Sequence, residues 1–405
     1  MYDLLLKGGT VVDPSRNVHE KLDVGVTGNR ITGLASSIDA SGAIRVIDVS
    51  GKLVAPGLID NHIHAYDGPR HPQHPDIAGI FGGVTTAADA GRAGPANFQD
   101  FCDLIVSQSQ TRIYCLLSIF RDRNREAMRK RSATSTDGWD IDIDGVVRLA
   151  GEYPDIVKGI KIQLSATEFN AIGLKHLEAA KVASRKADIP VLLHVGDGRK
   201  GEVTPPKAVG RAIAMLDAGD TVTHVFGPCT GSTVDEEGKL LPEVLDAQTR
   251  GVFMDTAYGD NKFGWAKAES VMSQGLVPDS IGSDLQIQGH ELNNLRSLLE
   301  QSSFLLHLGF SVDEVLRMIT ITPARFLRIE DRAGSLALGR DADIAVIDLA
   351  DGNWEFKDAN NVIRVGSQAL VPVLTIKSGR VIEPGAGLHP WGWAPPTVAA
   401  TGVAV

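Results

Sequence analysis

Residues 57–64, GLIDNHIH, guide the interpretation of the whole sequence, because an apolar run ends there in two histidines one residue apart. In an extended strand alternate side chains share a face, so His62 and His64 point the same way. Two imidazoles on one face of an apolar strand suit a metal ion. An HxH pair is a weak signal by itself, so the rest of the chain must supply the other ligands.

The bulk composition indicates a globular protein without a general affinity for polyanions. The chain has 405 residues, enough for one large domain and a smaller one, or for two ordinary domains. Its 40 basic and 50 acidic residues give a net charge of -10, which favours neither nucleic acid nor an anionic membrane as a partner. The dense basic run at 129–132 is interpreted as a solvated helix face.

The cysteines and the N-terminal segment indicate a reducing, cytoplasmic location. The three cysteines are scattered and show no CxxC or CxH spacing, which argues against a disulfide framework and a cysteine-built zinc site. Residues 1–14 are too short and too charged for a signal peptide or a membrane span.

Both chain ends have the texture of short β-strands. Residues 1–55 alternate β-branched and polar residues between Gly-Asn and Ser-Gly pairs, and the same pattern returns in 331–385. Neither segment is large enough for a solid core, so we expect the two to fold together as a small β-sandwich. The tail, residues 386–405, is rich in Pro and Gly, and we expect a packed or inter-subunit arm.

Residues 56–330 have the pattern of an α/β protein. Eight short apolar strand candidates alternate there with helix-length amphipathic segments. Eight strands, each followed by a helix, over roughly 270 residues predict a (β/α)8 TIM barrel. A polar stretch at 120–145 is interpreted as an insertion after the third strand.

The active site of such a barrel is built at the carboxyl ends of its strands. Besides the two histidines of the first strand, the fourth, fifth, sixth and eighth strands present one polar side chain each: Lys161, His194, His224 and Asp284. Imidazole and carboxylate suit zinc, iron, manganese or nickel. The ordered set is far more specific for a metal site than any of its members alone.

The lysine is the unusual member of this set, because an ammonium group repels a metal ion. A buried, deprotonated lysine is a nucleophile that can capture carbon dioxide. The resulting carbamate has two anionic oxygens and can bridge two cations about 3.5–4 Å apart. Lys161 shares its strand face with Gln163, whereas Lys158 lies on the opposite face and is interpreted as solvated.

This ordered set resembles that of the amidohydrolase superfamily, and the resemblance covers essentially the whole chain. Further matching stretches are LLLKGGTVVDP (4–14), TPARFL (322–327) and AGSLALGRDADIAVID (333–348). Within the superfamily, GGVTTAADAGRAG (82–94), GIKIQLS (159–165), HVGDG (194–198) and THVFGP (223–228) look most like the metal-dependent deacetylases once classed as dihydroorotases. Those enzymes are considered to act on N-acetyl amino acids and O-acetylated hydroxy acids.

The resemblance implies two zinc ions per subunit, with other divalent metals as alternatives, and a homo-oligomer. His62, His64 and Asp284 would hold the more buried metal. His194 and His224 would hold the more exposed one, and Lys161, as N6-carboxylysine, would bridge the two together with a hydroxide. This hydroxide would add to the acyl carbonyl of a small acylated acid, with Asp284 as the general base that then protonates the leaving group.

Substrate-binding residues are less clearly marked in the sequence. Arg92 follows the second strand and could pair with a substrate carboxylate, although a loop ion pair is an equal alternative. Tyr66 continues the face of His64 and could line the mouth of the barrel. His290 lies on the last loop and is a further candidate contact, whereas Tyr258 could donate to an oxyanion or simply pack.

Departures from related patterns separate the alternatives. Dihydroorotases usually have an Arg two residues after the HxH pair, where this chain has Tyr66. Adenosine-deaminase-like members lack the bridging lysine, and D-aminoacylases use a cysteine ligand that is not found on the matching strand here. A hydantoinase-like cyclic amidase with the same ligands is the strongest enzymatic alternative. A non-catalytic binding protein is disfavoured because all six ligand positions are filled.

Overall fold

The structure is a computed structural model of the chain. It describes residues 1–68, 75–77, 79–123, 127–128, 131, 138–197, 201, 203–259, 261–286 and 297–382. The predicted tail, residues 386–405, and the candidate contact His290 lie outside the described residues.

The N-terminal segment is built of short strands, as its sequence pattern predicts. The strands before the barrel are β1 (Tyr2–Lys7), β2 (Thr10–Asp13), β3 (Val18–Lys21), β4 (Asp23–Thr27), β5 (Arg30–Ala35), β6 (Ala43–Asp48) and β7 (Leu53–Pro56). Four of them form a sheet in the order β5-β4-β1-β6.

A parallel sheet in the middle of the chain confirms the predicted barrel. Its strands are β8 (Leu58–His64), β9 (Val84–Ala90), β10 (Arg112–Ser118), β11 (Val157–Gln163), β12 (Val191–His194), β13 (Thr221–Thr223), β14 (Phe253–Asp255) and β15 (Leu285–Gln286). They lie in the order β14-β13-β12-β11-β10-β9-β8-β15. A parallel bridge between Asp255 and Ser280 joins β14 to the segment that leads into β15, so the sheet closes on itself.

The C-terminal strands complete the second sheet with strands from the N-terminal segment. They are β16 (Ile344–Lys357), β17 (Ile363–Lys377) and β18 (Arg380–Ile382). The six-stranded sheet has the order β18-β17-β16-β7-β2-β3, so it combines both chain ends. Leu6 and Val26 of the four-stranded sheet share one apolar cluster with Ile344 and Ile376 of the other. This shared core explains why neither end needs to fold alone.

Helices follow the barrel strands. The described ones are α1 (Phe98–Leu104), α2 (Ile143–Glu152), α3 (Ala166–Ile172), α4 (Lys175–Ala187), α5 (Pro206–Ala214), α6 (Pro242–Thr249), α7 (Trp265–Ser273), α8 (Leu298–His307), α9 (Val312–Met318) and α10 (Ile321–Phe326). The described helices include none long and apolar enough to cross a membrane.

The barrel strands are buried on both faces because helices cover the outer one. All seven residues of β8 are buried. On β11 the outward Ile160 and Ile162 belong to the main apolar core, whereas the inward Lys161 and Gln163 line a cavity at the carboxyl end of the barrel. The alternation of side chains along a strand therefore separates the residues that stabilise the barrel from those that face its mouth.

Candidate metal centre

The strand ends bring the six predicted ligands together. One ligand atom each from His62, His224 and Asp284 lies within 4.8 Å of the other two. His64 Nε2 lies 3.1 Å from Asp284 Oδ1, and Lys161 Nζ lies 2.8 Å from His62 Nε2. The ring centroid of His194 is 4.3 Å from that of His224. Residues from five strands or strand ends therefore converge on one buried point.

Two of these side chains depend on an unusual backbone conformation. His224 has a φ of 71° and Asp284 has a φ of 50°, which is the left-handed region that non-glycine residues rarely adopt. His224 directly follows β13, where strict alternation would turn its side chain away from the barrel axis. The left-handed turn instead directs the imidazole inward. Such strain is often found at functional sites, where the surrounding structure stabilises it.

Hydrogen bonds to backbone carbonyls fix the tautomers of His194 and His224. The Nε2–H of His194 donates to the carbonyl of Gly196 over 3.0 Å. The Nδ1–H of His224 donates to the carbonyl of Ala257 over 2.7 Å. Because a carbonyl can only accept, the opposite ring nitrogen of each histidine keeps its lone pair for a metal.

His62 is oriented by a side-chain relay below the centre. The Thr223 hydroxyl donates to Asp255 Oδ2 over 2.6 Å, so its oxygen accepts from the Nδ1–H of His62 over 3.1 Å. The same Asp255 also accepts from the Ser280 hydroxyl and from the backbone N–H of Gly282. The relay leaves His62 Nε2 unprotonated and directs it toward Lys161 and Asp284.

Removing the Thr223 hydroxyl tests this relay. Thr223→Val keeps the shape of the side chain but removes the acceptor for His62, so we expect zinc affinity to fall by roughly 10–100-fold. Competition with a chelator of known affinity measures the change. Thr221→Val is the matched control, because Thr221 lies on the same face of β13 and its buried hydroxyl has no hydrogen-bond partner among the described residues. Equal zinc affinity in both variants would contradict the relay.

Burial makes the four imidazoles suitable as neutral ligands. It lowers the pKa of His64 to about 4 and that of His224 to about 3, and it lowers the pKa of His62 and His194 well below the usual value. Neutral imidazole is the form that binds metals.

Lys161 has the environment that carbamate formation requires. Burial lowers the pKa of its ammonium group to about 7, although the charge of Asp284 acts in the opposite direction. A substantial fraction of the amine is therefore unprotonated at neutral pH. Gly91, whose φ is 82°, packs so closely on the Lys161 side chain that a Cβ at this position would collide with it. Gly91, which directly follows β9, therefore restricts the position of the aliphatic part of the Lys161 side chain.

Asp284 is ionised at neutral pH. Burial by itself would raise the pKa of this carboxyl group, but the hydrogen bond from His64 and the nearby charges of His224 and Lys161 outweigh burial and lower the pKa to about 2. Its backbone N–H donates to the carbonyl of His62 over 2.7 Å, which ties the eighth strand to the first. The carboxylate is therefore available both as a ligand and as a proton acceptor.

The donor atoms of this centre fit divalent metal ions. His64 Nδ1 and His224 Nε2 are buried, and neither has a hydrogen-bond partner among the described residues. Imidazole nitrogens and carboxylate oxygens are common zinc ligands, and a bound cation would compensate the cost of burying them. No sulfur ligand is present in the set.

A cavity of about 220 Å³ opens above the centre. Four of the predicted ligands line it: His64, Lys161, His194 and Asp284. Arg92 lines it too, with Nη1 3.7 Å from Asp67 Oδ1 and a buried Nε that has no partner among the described residues. This position agrees with the sequence-based prediction that Arg92 faces the site. The alternative, an ion pair within the loop, is also found, because Arg92 lies close to Asp67.

The cavity wall contains two cations and one amide that were not predicted from the sequence: Arg123, Lys262 and Asn261. Gln163 lines the cavity too, in agreement with its predicted position on the strand face of Lys161. Arg123 lies near the start of the polar stretch that was interpreted as an insertion after the third strand, and its side chain is buried. No pattern in the sequence marks Arg123, Lys262 or Asn261.

Tyr66 does not reach the cavity, contrary to the expectation from alternation along the first strand. The backbone N–H groups of Ala65 and Tyr66 both donate to Asp89 Oδ2, over 2.8 and 3.0 Å, and β8 has already ended at His64. The ring therefore turns into the apolar core and packs edge-on against Phe101 with centroids 5.9 Å apart.

Tyr258 packs rather than facing the centre. Its hydroxyl donates to the carbonyl of Lys357 over 2.6 Å, and its ring stacks on Phe263. Of the two alternatives for this residue, the position agrees with packing.

Comparison with known proteins agrees with this architecture. Residues 53–382 match the Amidohydrolase family. A deacetylase from Enterococcus faecalis is 26% identical over 385 residues, which make up 94% of this chain and 99% of that protein. A deacetylase from Agrobacterium fabrum is 29% identical over 333 residues, 82% of this chain and 79% of that protein.

Solved structures show the same fold over nearly the whole chain. The structure of an adenine deaminase has a TM-score of 0.82 at 26% identity, and the match covers 95% of this chain and 100% of that one. The structure of a dihydroorotase has a TM-score of 0.80 at 26% identity, covering 94% of this chain and 97% of that one. The family match spans the barrel and every one of the six converging side chains, and the chain therefore belongs to the amidohydrolase family of metal-dependent hydrolases.

Proposed function

We propose that this protein is a deacetylase that hydrolyses the acyl amide or ester bond of small N-acetyl amino acids or O-acetyl 2-hydroxy acids. The observation that carries the proposal is the cavity, in which a metal-binding set faces a wall containing Arg92, Arg123 and Lys262. The two relatives named deacetylases, which match most of this chain, support the same reaction. A cationic wall suits a substrate that carries a carboxylate.

We further propose two zinc ions as the bound metals and N6-carboxylysine at Lys161 as the group between them. His62, His64 and Asp284 would hold the inner ion, and His194 and His224 would hold the outer one. The convergence of these side chains and the neutral imidazoles supports the assignment. Bound there, the two cations would supply Lewis-acid polarisation of the acyl carbonyl and a water molecule of lowered pKa.

The chain's own acid–base group in this reaction is Asp284. The water oxygen adds to the acyl carbon, and the Asp284 carboxylate accepts the proton that the water loses. When the bond from the acyl carbon to nitrogen or oxygen breaks, Asp284 returns this proton to the leaving amine or alkoxide. The low pKa of Asp284, about 2, keeps it in the accepting form at neutral pH.

A cyclic amidase of the dihydroorotase or hydantoinase type is the second candidate. The dihydroorotase structure matches the fold at a TM-score of 0.80 and 26% identity. The buried position of Tyr66, where dihydroorotases usually have an Arg, favours the deacetylase instead.

Acetate release distinguishes these candidates. We expect zinc-loaded protein, prepared with bicarbonate, to release acetate from at least one N-acetyl amino acid or O-acetyl 2-hydroxy acid in a panel with both enantiomers. A chelator should abolish the release and zinc should restore it, because the reaction depends on the bound metals. Dihydroorotate, hydantoin and adenine serve as controls. Ring opening of a cyclic control without acetate release would instead identify a cyclic amidase.

The predicted homo-oligomer and the cytoplasmic location stay predictions. Size-exclusion chromatography with light scattering measures the number of subunits directly.

A further inference from the structure

The cavity wall contains more positive charge than the residues around it balance. Arg92, Arg123 and Lys262 line it, and Asp284, a candidate metal ligand, is the one carboxylate among the described lining residues. The three cations differ in how many of their N–H groups are already used. That difference indicates which of them is available to a ligand.

Lys262 is used by the protein itself. Its ammonium group donates to the carbonyls of Gly196 and Asp197 over 3.0 and 3.2 Å and lies 3.5 Å from Cys229 Sγ. Each of the three N–H donors of the Lys262 ammonium group thus has an acceptor within the protein. Because Gly196 also accepts from His194, Lys262 mainly fixes the loop that follows β12.

Arg123 is buried and incompletely paired. Its side chain is buried, with the residue 3% exposed. Nη1 donates to the carbonyl of Gly91 over 3.2 Å and Nη2 donates to Gln163 Oε1, which accounts for two of its five N–H donors. Among the described residues no carboxylate lies within ion-pair distance of it. Glu168, the nearby buried acid, instead accepts from the Ser165 hydroxyl.

A buried guanidinium without an anion is costly for the fold, and such a group is usually paired. Burial lowers the pKa of Arg123 to about 9, and the charge of Arg92 adds to this effect, so the side chain is still cationic at neutral pH. A guanidinium is also the group that binds a carboxylate through two parallel hydrogen bonds.

The two anchors of Arg123 place it next to the reacting centre. Gln163 lies two residues beyond Lys161 on the same face of β11, about 6.6 Å further along the strand. Gly91 packs directly on the Lys161 side chain. An N-acetyl amino acid has only the amide nitrogen and one carbon between its acetyl carbonyl and its carboxylate. A substrate whose carbonyl lies over Lys161 is therefore of the right length to place its carboxylate beside Arg123.

We propose that Arg123, held by Gln163 and Gly91 and flanked by Arg92, binds the substrate's carboxylate and makes the enzyme specific for acyl derivatives of acids. This inference rests on the proposed function for the substrate's identity. It assigns the specificity to a residue outside the metal-binding set.

A matched pair of ligands tests the proposal without turnover. 4-Oxopentanoate is N-acetylglycine with CH2 in place of NH, so it cannot be hydrolysed, and 4-oxopentanamide is its neutral counterpart. Calorimetry on the zinc-loaded protein should show tighter binding of the carboxylate. Arg123→Met should weaken 4-oxopentanoate binding by roughly 30-fold or more and leave the amide unchanged. Arg121→Met, which removes an exposed arginine two residues earlier, is the control.

A second variant avoids leaving a buried charge unpaired. Gln163→Glu supplies Arg123 with a carboxylate from within the chain, so we expect the same selective loss of 4-oxopentanoate binding in a protein that folds. Equal binding of the two ligands by the wild type, or 4-oxopentanoate binding that survives in both variants, would overturn the proposal. An equal loss of the acid and the amide would also overturn it, because it would indicate a general disruption of the cavity.

Kinetics separate this proposal from the function on which it rests. If the acid binds selectively through Arg123 but no acylated acid releases acetate, the deacetylase assignment fails and the carboxylate site stands. If acetate is released from an N-acetyl amino acid and from its carboxamide with equal kcat/KM, the carboxylate site fails and the deacetylase stands.

Discussion

Asp284→Asn should lower kcat for acetate release by roughly 10³-fold or more while the folded protein still binds metal. The amide keeps the shape and one oxygen of the carboxylate, but it cannot accept a proton at neutral pH. His64, whose Nε2 lies 3.1 Å from Asp284 Oδ1, also loses a charged partner. Steady-state kinetics, together with zinc analysis of the same sample, measure the two effects separately.

The matched control for this variant is Asp279→Asn. Asp279 lies five residues earlier in the same segment and accepts from the backbone N–H of Met254 and from the side chain of Gln248, outside the cavity lining. The Asp279→Asn variant should retain near-wild-type turnover. Near-wild-type turnover by Asp284→Asn with zinc bound would instead remove Asp284 from the role of general base.

Lys161→Ala should lose the second metal as well as activity. Without the lysine no carbamate can form, so we expect zinc content to fall from two equivalents per chain to one or fewer and turnover to fall at least about 10²-fold. Metal analysis after gel filtration measures the content. Added formate, a carboxylate small enough for the space that the side chain leaves, should restore part of both.

Lys158→Ala is the control on the same strand. Lys158 lies three residues earlier on β11 and is not among the residues that line the cavity, and its ammonium group is 5.5 Å from the centroid of the Tyr114 ring. The Lys158→Ala variant should bind two equivalents of zinc per chain and release acetate at the wild-type rate. If Lys161→Ala also retained two equivalents, the bridging role of Lys161 would be wrong.

The barrel and the convergence of the six candidate ligands were predictable where side chains alternate along the strands. On β11 and β12, Ile160, Ile162 and Leu193 belong to the main apolar core, whereas Lys161 and His194 line the cavity. The pairing register shifts along β8, and Ile59 packs in one apolar cluster with Leu192. A short strand with strict alternation leaves little freedom in the direction of its side chains. The pairing of β16 with β7 likewise follows from two chain ends that each lack a core.

Features that depend on tertiary structure were not predictable. The inward direction of His224 requires a φ of 71°, which no local sequence pattern specifies. Tyr66 turns away because Asp89, from the neighbouring strand, binds the backbone just after β8 ends. Arg123 is buried because it bonds to Gly91 and Gln163, residues distant in sequence, although it lies in a stretch whose composition is that of a surface.

The most direct test of the account is a crystal structure of the zinc-loaded protein, grown with bicarbonate and measured at the zinc absorption edge. We predict two anomalous peaks, one among His62, His64 and Asp284 and one beside His194 and His224, with density for a carboxylated Lys161 between them. A single peak, peaks held by other residues, or an unmodified Lys161 would contradict the binuclear centre on which the proposed function rests.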